Sequence, residues 1–139
     1  MRISLANPTN ISEVVSFFNG NLDRNNRAVY SEEFLCPLGI KAAIKREQMI
    51  VATEDGQVVG AFRFYRKKTQ NQISLYQFAI SESYRGQGLL IQMLKTINDV
   101  SIISLCPKDA YLNEYYSKSG WVKQEDQSGK FNVWRFPTE

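Results

Sequence analysis

The chain contains no histidine. That absence removes a Ser-His-Asp triad, a histidine general base and the usual histidine-containing catalytic zinc sites. Acid–base chemistry is left to Tyr, Glu, Asp, Lys, Cys or water. Cysteine is nearly as scarce: Cys36 and Cys106 are the only two, and they are far apart. Neither belongs to a C-x-x-C pair, so no zinc or redox motif is supported and no metal is expected. Each precedes a proline, which places it in extended or turn backbone. The plain reading is two reduced thiols; a redox pair or a thiol beside the active site is the alternative.

Long apolar runs are missing as well. No stretch of about 18 apolar residues occurs, so no membrane-spanning helix is expected. The N-terminal apolar stretch is too short for a signal peptide, and a cytoplasmic protein with no membrane partner is the expectation. Repeats, low-complexity tracts and linkers are absent, so residues 1–139 read as one domain. A chain of 139 residues buries enough surface to fold without disulfide or metal. The net charge of +3 is mild and its basic residues are dispersed. This argues against a nucleic-acid partner and suits a polyanionic ligand.

What is present falls into a clear order of elements. Ile3 and Leu5 alternate with polar residues as a first strand. Asn7-Pro8 predicts a helix N-cap and first position, followed by a stripe of Ile11, Val14, Val15 and Phe18 that ends at Asn19-Gly20-Asn21. A polar loop follows, then a helical turn from Ser31 that Pro37 breaks, and a helix over 39–47. Strands over 49–53, 58–66 and 73–80, the first two joined by a turn centred on Asp55-Gly56, predict an antiparallel meander. A polar Gly-rich segment precedes a helix carrying Leu90, Met93, Leu94 and Ile97. Ser101 to Leu105 then makes a strand parallel to the one before the helix. Asp109 is expected to cap a last helix, which Gly120 stops. Strands over 121–123 and 131–136 close the chain. The fold class is α+β, an α/β sandwich. Its sheet is mixed, twisted and mostly antiparallel, with one parallel crossover and helices on both faces.

The stretch Tyr84-Arg85-Gly86-Gln87-Gly88-Leu89-Leu90 carries the chemistry. It lies between a strand and a helix start, where unpaired backbone N–H groups and glycines admit an anion. A dinucleotide fingerprint needs a third glycine where Ile91 stands. A nucleoside-triphosphate loop needs Lys-Ser/Thr after its last glycine, where Leu89 stands. Both fail. The ordinary alternative is a turn that merely starts a helix.

The stretch resembles the Gln/Arg-x-x-Gly-x-Gly/Ala signature of the GNAT acetyltransferases. Arg85 and Gly88 match, while Leu90 replaces the final small residue. A second likeness is Tyr116, four residues before the Gly120-Trp121 pair, with Asp109 where the family often has Asn. The order of elements is similar over nearly the whole chain.

The resemblance implies that acetyl-CoA lies in a gap between splayed fourth and fifth strands. Backbone groups of Phe78, Ala79 and Ile80 would pair with its pantetheine arm. The loop led by Arg85, through the amides of Gly86, Gln87, Gly88, Leu89 and Leu90, would hold the pyrophosphate. The acceptor, an amine of a small molecule or protein, would attack the thioester directly. A fourth-strand amide would polarise the carbonyl, and Tyr116 would protonate the leaving thiolate. Tyr115, next along the helix, is expected to point about 100° away.

Some relatives place a Glu base on the fourth strand, but Ser74 stands there. Glu32, Glu33, Glu82 or a water chain are the alternatives. Tyr30, Phe34, Cys36 and Trp134 are candidate acceptor contacts or, equally, core residues. Arg63, Arg66, Lys67 and Lys68 form either a solvated strand end or a contact for an acidic acceptor. A monomer or homodimer is expected. The competing function is a catalytically silent acyl-CoA sensor or interaction module of the same fold.

Overall fold

The computed structural model describes residues 1–21, 36–110, 112–124 and 129–137. Seven strands form one sheet: β1 (Arg2–Leu5), β2 (Met49–Glu54), β3 (Gln57–Lys67), β4 (Gln72–Ile80), β5 (Ser101–Pro107), β6 (Val122–Gln124) and β7 (Phe131–Arg135). Their spatial order is β1-β2-β3-β4-β5-β7-β6. Every neighbouring pair is antiparallel except β4 and β5. The expected class, a mixed and mostly antiparallel sheet with a single parallel pair, is therefore the observed one. The placement of β7 between β5 and β6 is visible only in the folded chain.

Helices α1 (Ile11–Asn21) and α2 (Pro37–Lys45) cover one face, where Val14, Phe18, Ile40 and Ile44 pack on Met49, Val51 and Ala61. Helices α3 (Leu89–Leu94) and α4 (Asn113–Lys118) belong to the other face, with Phe62, Leu75 and Ile102 among its core residues. Contact between α3 and β3 is close because Gly60 has no side chain. A Cβ there would come within 3.0 Å of Met93 Sδ and 3.3 Å of Leu89 Cδ2. The loop that starts α3 is thereby seated directly above β3 and β4.

Several boundaries depart from expectation, each for a local reason. Asn7 does cap, but it caps a 3-10 turn over Pro8–Asn10 in a reciprocal box with Asn10, and α1 begins only at Ile11. Helix α2 starts at Pro37, two residues before the expected start at Gly39; lacking an N–H, Pro37 fits a position where that donor has no partner. Helix α3 stops at Leu94, because Thr96 and Ile97 close tighter i→i+3 bonds to Met93 and Leu94. Ile97 stays buried beyond the helix end. Asp109 is not the cap of α4; Leu112 precedes that helix. The expected stop at Gly120 is present, with φ of 83° and the Trp121 N–H donating to the Tyr116 carbonyl. The helical turn expected from Ser31 lies outside the described residues.

Candidate active site

The parallel pairing of β4 with β5 covers only Gln72–Ser101, Ile73–Ile102 and Ser74–Ile103. Beyond that point the two strands separate. Against β3 the register jumps from Gln77 opposite Arg63 to Leu75 opposite Phe64, which leaves Tyr76 as an extra residue. Such a bulge bends its strand and swaps the faces of the residues on either side. Ile73 and Leu75 join the α3–α4 core together with Phe78 and Ile80, while Ala79 joins the α1–α2 core. The sequence carries a trace of this: the apolar alternation changes phase between Leu75 and Phe78.

The separation opens a cavity of about 520 Å³. Its walls are β4 from Leu75 to Ile80, β5 from Ser104 to Pro107, the loop around Gly86 and Gly88, and Tyr115, Tyr116 and Ser119 of the last helical segment. Ser81 N–H donates to the Val59 carbonyl of β3. Strand alternation then turns the backbone groups of Phe78 and Ile80 away from β3 and into the gap, and those of Ala79 towards β3. Of the three residues expected to meet a pantetheine arm, two present backbone groups and the third contributes wall.

The backbone N–H groups of Gly86, Gln87, Gly88, Leu89 and Leu90 donate to no acceptor among the described residues. Arg85 behaves differently. Its own N–H bonds Glu82, its Nε donates to the Ile80 carbonyl at 2.9 Å and its Nη2 to the Asn21 carbonyl at 3.3 Å. Its guanidinium fastens the loop to the ends of β4 and α1. Gln87 likewise ties its side chain to the Ser83 carbonyl. Leu89 and Leu90 bury their side chains in the core, so the large residue at position 90 leaves the amide row uncovered.

Tyr116 is 2% exposed. Its ring stacks on Trp134 at 5.8 Å and meets Trp121 edge-on at 4.9 Å. Its hydroxyl is 2.7 Å from Ser104 Oγ. Burial pushes the phenol well above its ordinary range; the Ser104 hydrogen bond works in the opposite sense, and Cys106 and Tyr115 add to the rise. Tyr115 does not point away as the helical spacing suggested. It also lines the cavity, with its ring tilted against Phe78 at 5.7 Å. Burial raises its pKa too, partly offset by a hydrogen bond with Ser119.

Sequence reasoning missed Asn113. Its Nδ2 donates to the carbonyls of Pro107, Lys108 and Ala110, and its Oδ1 accepts from Asn132 and from Trp134 Nε1. It thus joins the end of β5, the start of α4 and β7, and sets the Trp134 ring behind Tyr116. Only the assembled contacts reveal this, since an Asn inside a helix start has no distinctive neighbours in sequence. Trp134, a candidate acceptor contact, is a core residue. Ser74 lies on β4 where pairing with β5 ends, and Glu82 is exposed in the 3-10 turn before the loop. Tyr30, Phe34, Glu32 and Glu33 lie outside the described residues.

Both cysteines are free. Cys106 lines the cavity from β5, and its thiol is pushed up to about 11, first by burial and then by the Asp109 charge. A neutral buried thiol is a poor nucleophile. At pH 8 an aromatic disulfide reagent is expected to titrate half-buried Cys36 first and Cys106 only on unfolding. Stability carries the same signature. Below pH 9 the thiol is neutral in both folded and unfolded chains. Between pH 9 and 11 only the unfolded thiol ionises, so this contribution is lost as pH rises through that window. Equal reaction rates at both cysteines in folded protein would contradict the assignment.

A family model for the acetyltransferase (GNAT) domain matches residues 22–137. No curated protein matches the chain in sequence. Among solved structures, an acetyltransferase of the GNAT family from Listeria monocytogenes is 16% identical at a TM-score of 0.74, covering 97% of this chain and 93% of its own. The PaiA N-acetyltransferase from Thermoplasma acidophilum, in complex with coenzyme A, is 13% identical at 0.68, with coverage of 99% and 98%. Ard1 from Thermoplasma volcanium is 19% identical at 0.67, with coverage of 99% and 98%.

Proposed function

The chain belongs to the GNAT acetyltransferase family, and from that premise we propose that it binds acetyl-CoA between β4 and β5 and transfers the acetyl group to an amine. One observation carries the reading. The part of β4 beyond its pairing with β5, and the row of amides from Gly86 to Leu90 that donate to no acceptor among the described residues, border the same cavity. An extended amide-containing arm can add to the first as an extra strand, and a pyrophosphate can accept from the second. The solved relative from T. acidophilum holds coenzyme A, which supports the choice of ligand.

In the proposed reaction the acceptor nitrogen attacks the thioester carbonyl. A β4 backbone N–H facing the gap, that of Phe78 or Ile80, stabilises the developing oxyanion. The carbon–sulfur bond breaks as the amide forms, and the proton leaving nitrogen passes to water. The Tyr116 hydroxyl serves the departing sulfur. A phenol with a raised pKa gives up its proton reluctantly to a thiolate of pKa about 8.5. Its contribution is therefore a hydrogen bond that strengthens as charge builds on sulfur. For Tyr116 to donate to sulfur, Ser104 must donate to Tyr116, and the 2.7 Å contact permits that direction.

Saturating acetyl-CoA at about 100 times its dissociation constant should stabilise the fold by roughly 2.7 kcal/mol and raise Tm by several degrees. An unmoved Tm would remove the ligand assignment. A panel of amines assayed for free CoA release then tests transfer. The engaged Tyr116 hydroxyl also suits a silent acyl-CoA sensor, and tight binding without turnover on any amine selects that second reading.

A further inference from the structure

We propose that the acceptor amine also carries a carboxylate, and that Arg63 binds it on the α1–α2 face of the sheet beside the cavity. This deepens the acetyl-transfer reading and rests on it. The basic strand end of β3 divides in the folded chain. Arg66 pairs with Asp99, its Nη1 3.2 Å from each carboxylate oxygen, on an exposed surface. Arg63 has no carboxylate partner among the described residues. Its Nη2 donates to Tyr65 Oη at 2.6 Å. Its guanidinium carbon lies 4.7 Å from the Tyr76 ring centroid and 5.3 Å from that of Tyr65, and the two rings meet edge-on at 5.2 Å. Nη1 faces the first turn of α2, where a Cβ on Gly39 would come within 3.3 Å of it. Nε is buried and donates to no acceptor among the described residues.

A half-buried cation without a counter-charge is costly, and attraction to two aromatic faces offsets only part of that. Burial also sets the guanidinium plane, so little further ordering is needed to pair it with an anion. A carboxylate suits it best, because two parallel oxygens match a planar fork of donors. Tyr76 links this group to the reaction site. It is the bulged residue of β4, it lies against Arg63, and it lines the cavity with Asn21 from the end of α1. A carboxylate held at Arg63 therefore places the rest of a small molecule beside the gap between β4 and β5.

The test compares free amino acids with their carboxamides, which share every atom except the charged oxygen. In the CoA-release assay the acids should show a kcat/KM about 10- to 100-fold higher, most of it in KM, the range expected for one charge-assisted hydrogen-bonded pair. Arg63→Gln should bring the acid-to-amide ratio to about one, and Arg63→Lys should restore part of it. Retention of the acetyl-CoA-induced rise in Tm shows that each variant is folded and loaded. Calorimetric titration of the CoA-bound protein with N-acetylated amino acids and their amides reads the same preference without turnover. Equal use or equal binding of acids and amides overturns the proposal. So does a preference for phosphate-bearing amines, activity confined to peptide acceptors, or a ratio that Arg63→Gln leaves unchanged. Loss of acetyl-CoA binding in the unaltered protein would instead remove the parent reading, while the same titration of the cofactor-free protein and of its Arg63→Gln variant still reports on Arg63.

Discussion

Gly88→Asp is expected to leave the protein folded and to weaken acetyl-CoA binding by more than about 100-fold. Gly88 has φ of 76°, and a Cβ there would meet nothing within 4 Å. The substitution is therefore sterically open, and its conformational cost is on the order of 1 kcal/mol, for which Asp is among the more tolerant side chains. The charge does the damage. A carboxylate among the amides of residues 86–90 would sit near the pyrophosphate. Two like charges about 4 Å apart repel by roughly 4 kcal/mol at an effective dielectric of about 20. Gly88→Asn has nearly the same shape and the same backbone demand without the charge, so it should bind within about tenfold of the unaltered protein. Calorimetric titration with acetyl-CoA, after circular dichroism confirms folding, separates the two. A folded Gly88→Asp protein with undiminished affinity would show that the phosphates lie elsewhere.

Tyr116→Phe should lower kcat by about 10², the lower end of what a positioned proton donor contributes, with little change in acetyl-CoA affinity. The phenyl ring preserves the stack on Trp134 and the edge contact with Trp121. What is lost is the hydroxyl at Ser104. Because Tyr115 also borders the cavity, Tyr115→Phe is a competing test and not a silent control. A larger kcat loss in Tyr115→Phe would move the donor role to that residue, and full turnover in both would leave the sulfur to water. A raised phenol pKa also means that Tyr116 stays protonated throughout the assay range. No alkaline decline in kcat below about pH 10 should therefore come from this group.

The features legible in the sequence are those set by near neighbours. The Asp55-Gly56 turn has positive φ at both residues, and Gly120 stops α4 through a bond from Trp121 to Tyr116. The glycine loop lies between a strand and a helix start, as its composition implied. These depend on dihedral preferences and on bonds spanning a few residues, so local chemistry is sufficient to specify them. The stripes of Val14 and Phe18, or of Leu90, Met93 and Leu94, follow from helical period alone.

The site itself depends on contacts between residues far apart in the chain. No local preference in β4 states that its pairing with β5 ends after Ser74 and Ile103. A single extra residue at Tyr76 exchanges the two faces of a strand, and period-2 patterning cannot say which partner absorbs that residue. The tie from Asn113 to Trp134, the separation of Arg63 from Arg66, and the presence of both Tyr115 and Tyr116 in the cavity arise the same way. Each is decided by packing of strands and helices that only the closed sheet brings together. Sequence alone thus specified that a glycine loop stands between a strand and a helix start, and tertiary structure decided where the sheet opens, because a gap between strands is defined by pairings that are not made.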